Sequence, residues 1–135
     1  MSITSINDVE FGEELPAFVP DTSLENVRRF CAGTDRDVPR FTSHEGARKL
    51  GLPGAIVPGV MSQGFLAAMI HRWAPDGFIV KIDTIFRAPV LVDQPHTIAG
   101  VVTDIDHDTA MVETDITVLN AAGETRVLGT ATVRI

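Results

Sequence analysis

The stretch Pro58-Gly59-Val60-Met61-Ser62-Gln63-Gly64-Phe65-Leu66-Ala67-Ala68-Met69-Ile70 decides the fold. Apolar or small side chains occupy nearly every face of the helix that follows Pro58-Gly59. A surface helix shows a polar side, so this one is expected to be buried all round. Cations come only at its C-terminal end, as His71 and Arg72, where the macrodipole favours them. Trp73-Ala74-Pro75 then closes it.

Downstream of this helix the chain reads almost entirely as strands. Residues 78–87 are rich in β-branched side chains, with Val80, Ile82, Thr84 and Phe86 on one face. A second strand, 96–105, follows a Pro-Val-Leu-Val-Asp-Gln-Pro connection. Residues 110–119 alternate, setting Ala110, Val112, Thr114, Ile116 and Val118 against Met111, Glu113, Asp115 and Thr117. A turn over 120–124, containing Gly123, leads to a last strand over 125–135. Short connections imply antiparallel pairing. An antiparallel sheet with one apolar face and one wholly apolar helix has a direct solution, an α+β fold in which the sheet curls around the helix.

Upstream, two further helices are expected. Thr22-Ser23-Leu24-Glu25 reads as a capping box with Thr22 as the cap. Its helix carries Leu24, Val27, Phe30 and Cys31 on one stripe and ends near Gly33. A second box, Thr42 to Glu45, opens a short helix through Arg48 and Leu50 that stops at Gly51-Leu52-Pro53-Gly54. Between them, residues 34–41 read as a polar loop containing Asp35, Arg36, Asp37, Pro39 and Arg40.

Composition narrows the function classes. The 135 residues fit one domain over 1–135, with 44% hydrophobic and 21% charged residues. A net charge of −7 with scattered cations argues against a nucleic-acid partner. Cys31 is the one cysteine, which points to a reducing compartment. Residues 1–10 lack the basic and apolar regions of a signal peptide, and no apolar run reaches the ~18 residues of a membrane span. A cytoplasmic protein with no membrane partner is expected. No cofactor or metal motif is found: Asp104, Asp106, His107 and Asp108 cluster, but at an interstrand turn where a solvated role is expected.

The start of a buried helix presents unpaired N–H groups and a positive dipole end. Gly59 lets a ligand approach that amide with no Cβ in the way. Such a site suits a thioester carbonyl oxygen, whose negative charge grows when the α-carbon is deprotonated or the β-carbon attacked. The alternative is a tight turn that only starts a core helix.

The segments Phe30-Cys31-Ala32-Gly33-Thr34-Asp35 and Ala47 through Ser62, with Phe86-Arg87-Ala88-Pro89-Val90, resemble the MaoC-like acyl dehydratases, including the (R)-specific enoyl-CoA hydratases. The resemblance spans nearly the whole chain. It implies a hot-dog fold and a homodimer, or a heterodimer with a related chain. It also implies an acyl-CoA or acyl-carrier-protein thioester as substrate, and reversible addition of water across a trans-2-enoyl thioester. By the same resemblance Gly59 supplies an oxyanion-hole amide flanked by Pro58 and Val60, and Ser62 lies beside the pocket; for Ser62 the alternative is close helix packing.

The family's hydratase motif is an Asp, an Asn-Pro two positions later and a His five positions after the Asp. Here Asp35 holds the first position, Asp37 stands for the Asn, and Arg40 occupies the histidine position. Asp35 is the candidate base. Arginine does not exchange a proton near neutrality, so Arg40 is expected to bind a carboxylate or phosphate, or to pair with Asp35 or Asp37. For Asp35 the alternative is a loop carboxylate capping nearby amides. His44 is the only histidine near the motif and the candidate substitute acid, at a helix position where exposed residues are common. Three functions follow in order: a hydratase or dehydratase, an acyl-thioester-binding subunit that needs a partner, and a thioesterase. The thioesterase ranks last because residues 60–70 contain no Asp or Glu.

Overall fold

The computed structural model describes residues 2–135. Its longest helix, α4 (Gly59–Trp73), lies against the sheet of β1 (Phe78–Phe86), β2 (His96–Asp106), β3 (Met111–Asn120) and β4 (Thr125–Arg134). Helices α1 (Leu24–Thr34), α2 (Pro39–Thr42) and α3 (His44–Lys49) precede it. No helix among the described residues is long and apolar enough to cross a membrane.

The sheet is antiparallel throughout, in the order β1-β4-β3-β2. β1 therefore pairs with the last strand and not with β2, and the connection between them crosses the end of the sheet. The alternation read for β3 holds: Val112, Thr114, Ile116 and Val118 are buried against α4. Thr114, the polar member of that row, donates its hydroxyl to the Ala131 carbonyl at 3.2 Å. Across the core stand Leu66, Met69, Ile70 and Trp73 of α4, each at most 1% exposed. Full burial of a side chain of that size stabilises by ~1.5–3 kcal/mol, so this seam dominates the fold's energetics.

The far side of β2 is covered by the N-terminal segment. Leu15 N–H donates to the Gly100 carbonyl at 2.9 Å, and Phe18 and Ile98 exchange both bonds at 3.2 and 2.9 Å. Trp73 Nε1 donates to Glu13 Oε2 at 3.3 Å, tying the same segment to the end of α4. β1 is left as the uncovered edge among the described strands.

Several sequence expectations need correction. The cap of α1 is Ser23, whose hydroxyl accepts the Asn26 N–H at 3.2 Å; Thr22 is buried and donates to the Gln94 carbonyl at 2.7 Å. The cap of α3 is likewise Ser43 and not Thr42. In each case the serine already has extended backbone angles one residue nearer the helix. Residues 39–42 form the single turn α2 and not a loop, because Pro39 at its start is preset for helix. Helix α4 is not buried all round: Val60 is 49% exposed and Gly64 is exposed, so one flank faces outward. In β1 a bulge between Ile79 and Lys81 resets the alternation. Val80 is consequently 42% exposed, while Ile79 and Ile82 pack on the core; Phe86 keeps the phase of Ile82 and Thr84 but, at the strand's end over the start of α4, is 51% exposed.

His96 opens β2 at 2% exposure, with Nδ1 donating to the Gln94 carbonyl at 2.9 Å. Burial pushes its pKa below 6.5. The neutral ring is therefore the folded form, and the unfolded chain binds the extra proton first. The stability His96 contributes is complete above pH 6.5 and declines as pH falls toward the lowered folded value. Thermal unfolding of the wild type is expected to move to lower temperature across that window. His96→Gln, which keeps a donor and removes the titration, should flatten the profile; equal slopes in both proteins would exclude His96 as the source.

Candidate functional site

The start of α4 is built by two short segments that pair with each other. Val57 N–H donates to the Val90 carbonyl at 2.8 Å, and Val92 N–H to the Ala55 carbonyl at 2.9 Å. Ile56 N–H donates to the Arg40 carbonyl at 2.9 Å, which stitches α2 to the same strap. Pro58 follows as N-cap and offers no side-chain cap. Its carbonyl accepts the Met61 and Ser62 N–H groups at 2.9 and 3.1 Å. The Gly59 and Val60 N–H groups have no partner among the described residues. The first turn of α4 carries no acidic residue to neutralise the dipole.

A cleft of about 350 Å³ opens at this point. Gly59, Ser62, Phe86 and Arg87 line it, with residues 56–57 and 88–90 as walls. Phe86 stands over the helix start: a Cβ on Gly59 would lie 3.1 Å from its ring, so any larger residue would push the ring back from the backbone. Ser62 is 1% exposed, and its hydroxyl is the one buried side-chain polar atom among the described residues with no hydrogen-bond partner. A buried, unsatisfied hydroxyl costs ~1–3 kcal/mol. The free Gly59 amide and an orphan hydroxyl thus share one cleft, with the free Val60 amide next to them on the helix start, an arrangement of donors suited to an oxygen that carries negative charge.

The remaining predicted site residues lie elsewhere. Asp35, Asp37 and Arg40 are exposed, and none of them lines this cleft. Asp35 ends α1 in the left-handed conformation, with φ 57°, and its N–H donates to the Cys31 carbonyl. Its carboxylate neither caps an amide nor pairs with a cation among the described residues. The expected pairing of Arg40 with Asp35 or Asp37 is not made; the guanidinium lies over the Phe41 ring, 4.6 Å from its centre. Cys31 is buried as expected, and burial, followed by the nearby Asp37 charge, pushes its thiol pKa up. It is a core residue and not a thiolate.

His44 is half-buried rather than solvated, and both ring nitrogens are occupied. Nδ1 accepts the Ala55 N–H at 3.0 Å and Nε2 meets Asp93 Oδ2 at 2.7 Å. The His44 bond, then the Leu24 N–H, holds the Asp93 carboxyl below the usual range. The sequence assigns Asp93, Phe86 and Arg87 no site role, although Phe86-Arg87 lies in a segment that resembles the family. Asp93 sits in the Pro-Val-Leu-Val-Asp-Gln-Pro connection with φ 67°, and a lone Asp between apolar residues and a Gln-Pro was the available sign. The turn at Asp106 behaves as expected: its carboxylate accepts the Asp108 and Thr109 N–H groups at 3.0 and 3.3 Å. No metal-binding cluster exists among the described residues.

No protein-family model and no curated protein matches the sequence. Solved structures do. An (R)-hydratase from A. caviae involved in PHA biosynthesis superposes with a TM-score of 0.88 at 18% identity, covering 94% of this chain and 97% of its own. A MaoC-like dehydratase gives 0.90 at 23% identity over 97% of this chain and 42% of the other. The ChsH1-ChsH2 complex from Mycobacterium tuberculosis gives 0.84 at 16% identity, covering 93% and 98%. At these identities the likeness is one of fold: the chain adopts the hot-dog fold, the class that the helix and the sheet order define.

Removing the Ser62 hydroxyl removes an unsatisfied group and no bond. Ser62→Ala is therefore expected to leave chemical-denaturation stability unchanged or to raise it by about 1 kcal/mol. A loss of more than that would mean the hydroxyl is satisfied in the folded protein.

Proposed function

We propose that the protein is a hydratase or dehydratase acting on 3-hydroxyacyl and trans-2-enoyl thioesters of coenzyme A or acyl carrier protein. The observation that carries this reading is the orphan Ser62 hydroxyl in a cleft at the uncapped start of α4. In a hot-dog fold whose neighbours include an (R)-hydratase, that donor set fits a thioester carbonyl. The Gly59 N–H, flanked by Pro58 and Val60, and the Ser62 hydroxyl hold the oxygen as it becomes an enolate. Asp35 does not line this cleft, so it is the base only where the bound acyl chain reaches it outside the cleft; its unengaged carboxylate then takes a proton from water as the hydroxide adds to the β-carbon. It then returns that proton to the α-carbon, so atoms balance with no second titrating group. Asp37 and Arg40 stand beside it as contacts for the carrier's polar groups.

A partner subunit completes the reading. β1 is the uncovered edge, and its sequence Phe78-Ile79-Val80-Lys81-Ile82-Asp83-Thr84-Ile85-Phe86 mirrors itself about Ile82 in apolar and charged positions except where Val80 falls opposite Thr84. Phe78, Val80, Ile85 and Phe86 are 61%, 42%, 63% and 51% exposed, which an edge strand left in water does not tolerate well. Antiparallel self-pairing about Ile82 sets Lys81 opposite Asp83 of the partner subunit. The second reading is a binding subunit whose partner is a related chain carrying the missing acid. It is favoured by Arg40 in the histidine position and by a cleft lined by no carboxylate or imidazole of this chain. A two-chain complex among the structural neighbours is the precedent in fold. For location we propose the cytoplasm, on the single buried thiol.

The test is loss of enone absorbance on mixing the homogeneous protein with crotonyl-CoA and longer or branched enoyl-CoAs. Turnover is expected, reduced on the order of 10²-fold in Ser62→Ala and at least as much in Asp35→Ala. No turnover with any substrate, together with recovery on adding a related chain that carries both Asp and His, would favour the second reading. Release of free thiol would identify a thioesterase instead. Val80→Lys with Ile85→Lys is expected to convert a dimer to monomers in sedimentation; an unchanged mass would remove β1 as the interface.

A further inference from the structure

Ala55, three residues before the α4 cap, is held by a side chain on one face and by the local ladder on the other. Its carbonyl accepts the Val92 N–H, while its N–H donates to His44 Nδ1 at 3.0 Å. A ring nitrogen that accepts from an N–H carries no proton, so the proton of the neutral ring is on Nε2. That nitrogen donates to Asp93 Oδ2 at 2.7 Å. The other Asp93 oxygen accepts the Leu24 N–H at 2.9 Å, and the Asp93 N–H donates to the Thr22 carbonyl at 2.8 Å. The carboxylate is thereby fixed against the start of α1. Gly54 makes room for the ring, since a Cβ there would lie 3.0 Å from Nδ1.

We infer that Asp93 sets the tautomer of His44 and that the pair positions the strap leading into Pro58-Gly59, and through it the free amides of α4. This rests on reading that helix start as the thioester site. The strap is short: Ala55 hangs on His44, Ile56 on the Arg40 carbonyl, Val57 on the Val90 carbonyl, and Pro58 is already the cap. Moving the ring proton to Nδ1 would set two N–H groups against each other and push residue 55 away. The displacement passes along three residues to Gly59 and Val60. Oxyanion donors act only when aimed at the place where charge develops, so a small tilt there lowers the rate with little effect on ground-state binding. His44 is then a positioning residue, with neither ring nitrogen free for substrate.

Asp93→Asn tests this without backbone strain, because Asn tolerates the left-handed conformation. The Leu24 N–H holds its oxygen, so its amide nitrogen donates to Nε2 and drives the ring proton to Nδ1. His44→Asn keeps an acceptor where Nδ1 stood and loses only the Asp93 bond. Thr22→Val, which removes the nearby Gln94 bond, is the stability control. In Asp93→Asn, ring ¹⁵N shifts should report the changed tautomer. Amide exchange at Ala55, Val57, Met61 and Ser62 should rise about tenfold. Turnover should fall on the order of tenfold in kcat with KM unchanged. His44→Asn should recover most of kcat, and Thr22→Val should lower only the unfolding temperature. Wild-type exchange in Asp93→Asn, or a kcat no lower than that of Thr22→Val, overturns the inference. If the wild type turns over no thioester, the proposed function falls, and the exchange comparison alone decides for or against the clamp.

Discussion

Helix α4 satisfies two opposed demands, and the rest of the structure is arranged around them. It must lie deep enough to give Leu66, Met69, Ile70 and Trp73 to the sheet, yet begin where two backbone amides meet nothing. The two other helices longer than one turn are each capped by a serine. Ser23 and Ser43 each place a hydroxyl on an orphan amide of α1 and α3, whereas Pro58 cannot; only the single turn α2, begun by Val38, also lacks a side-chain cap. Among the helices longer than one turn, the open start is therefore specific to the one that the sheet wraps. Its cost is local, a buried hydroxyl and two amides. The seam that offsets it is large, because every turn of α4 beyond Ser62 adds a fully buried side chain.

Much of this was legible in the sequence because it depends on periodicity. The lack of a polar face in residues 60–70, the alternation of β3 and the stripe Leu24, Val27, Phe30 and Cys31 follow from side-chain geometry, and the fold class follows from them. Local competition was harder to read. Thr22 and Ser23 are both good caps, and only the bond to the Gln94 carbonyl decides that Thr22 turns inward. The inward and outward rows of β1 depend on a bulge at Ile79/Lys81, which no propensity announces. The exposed flank of α4 was misread because Val60 and Gly64 are apolar or small, and composition does not say whether such residues face a core or an uncovered surface.

The candidate site divided along the same line. Gly59 and Ser62 were legible because they sit on the helix whose placement was already secure. The role of His44 was not, because its partners are 11 and 49 positions away and one of them is a backbone N–H. A histidine near a motif invites a proton-transfer role. The geometry gives it two structural bonds instead, and the aspartate that fixes its tautomer belongs to a connection between strands.

The 35–40 segment carries the remaining tension. A left-handed φ at a non-glycine residue costs on the order of 1 kcal/mol, and Asp35 adopts it to end α1. Glycine would end the helix there without strain, and Gly33 lies only two residues earlier. Val27 and Cys31, both fully buried, set the rotation and depth of α1 and so determine where its last residue falls. Asp35 is thus positioned by the core while its carboxylate makes no bond of its own. Arg40, five residues on, is held through its backbone, since its carbonyl carries the Ile56 N–H of the strap, while its guanidinium rests on Phe41. A permanent cation there can orient an anionic group but cannot exchange protons near neutrality. Any proton chemistry at this helix start therefore falls to a group that a second chain brings, or requires the bound substrate to reach the unengaged carboxylate of Asp35, which lies outside the cleft.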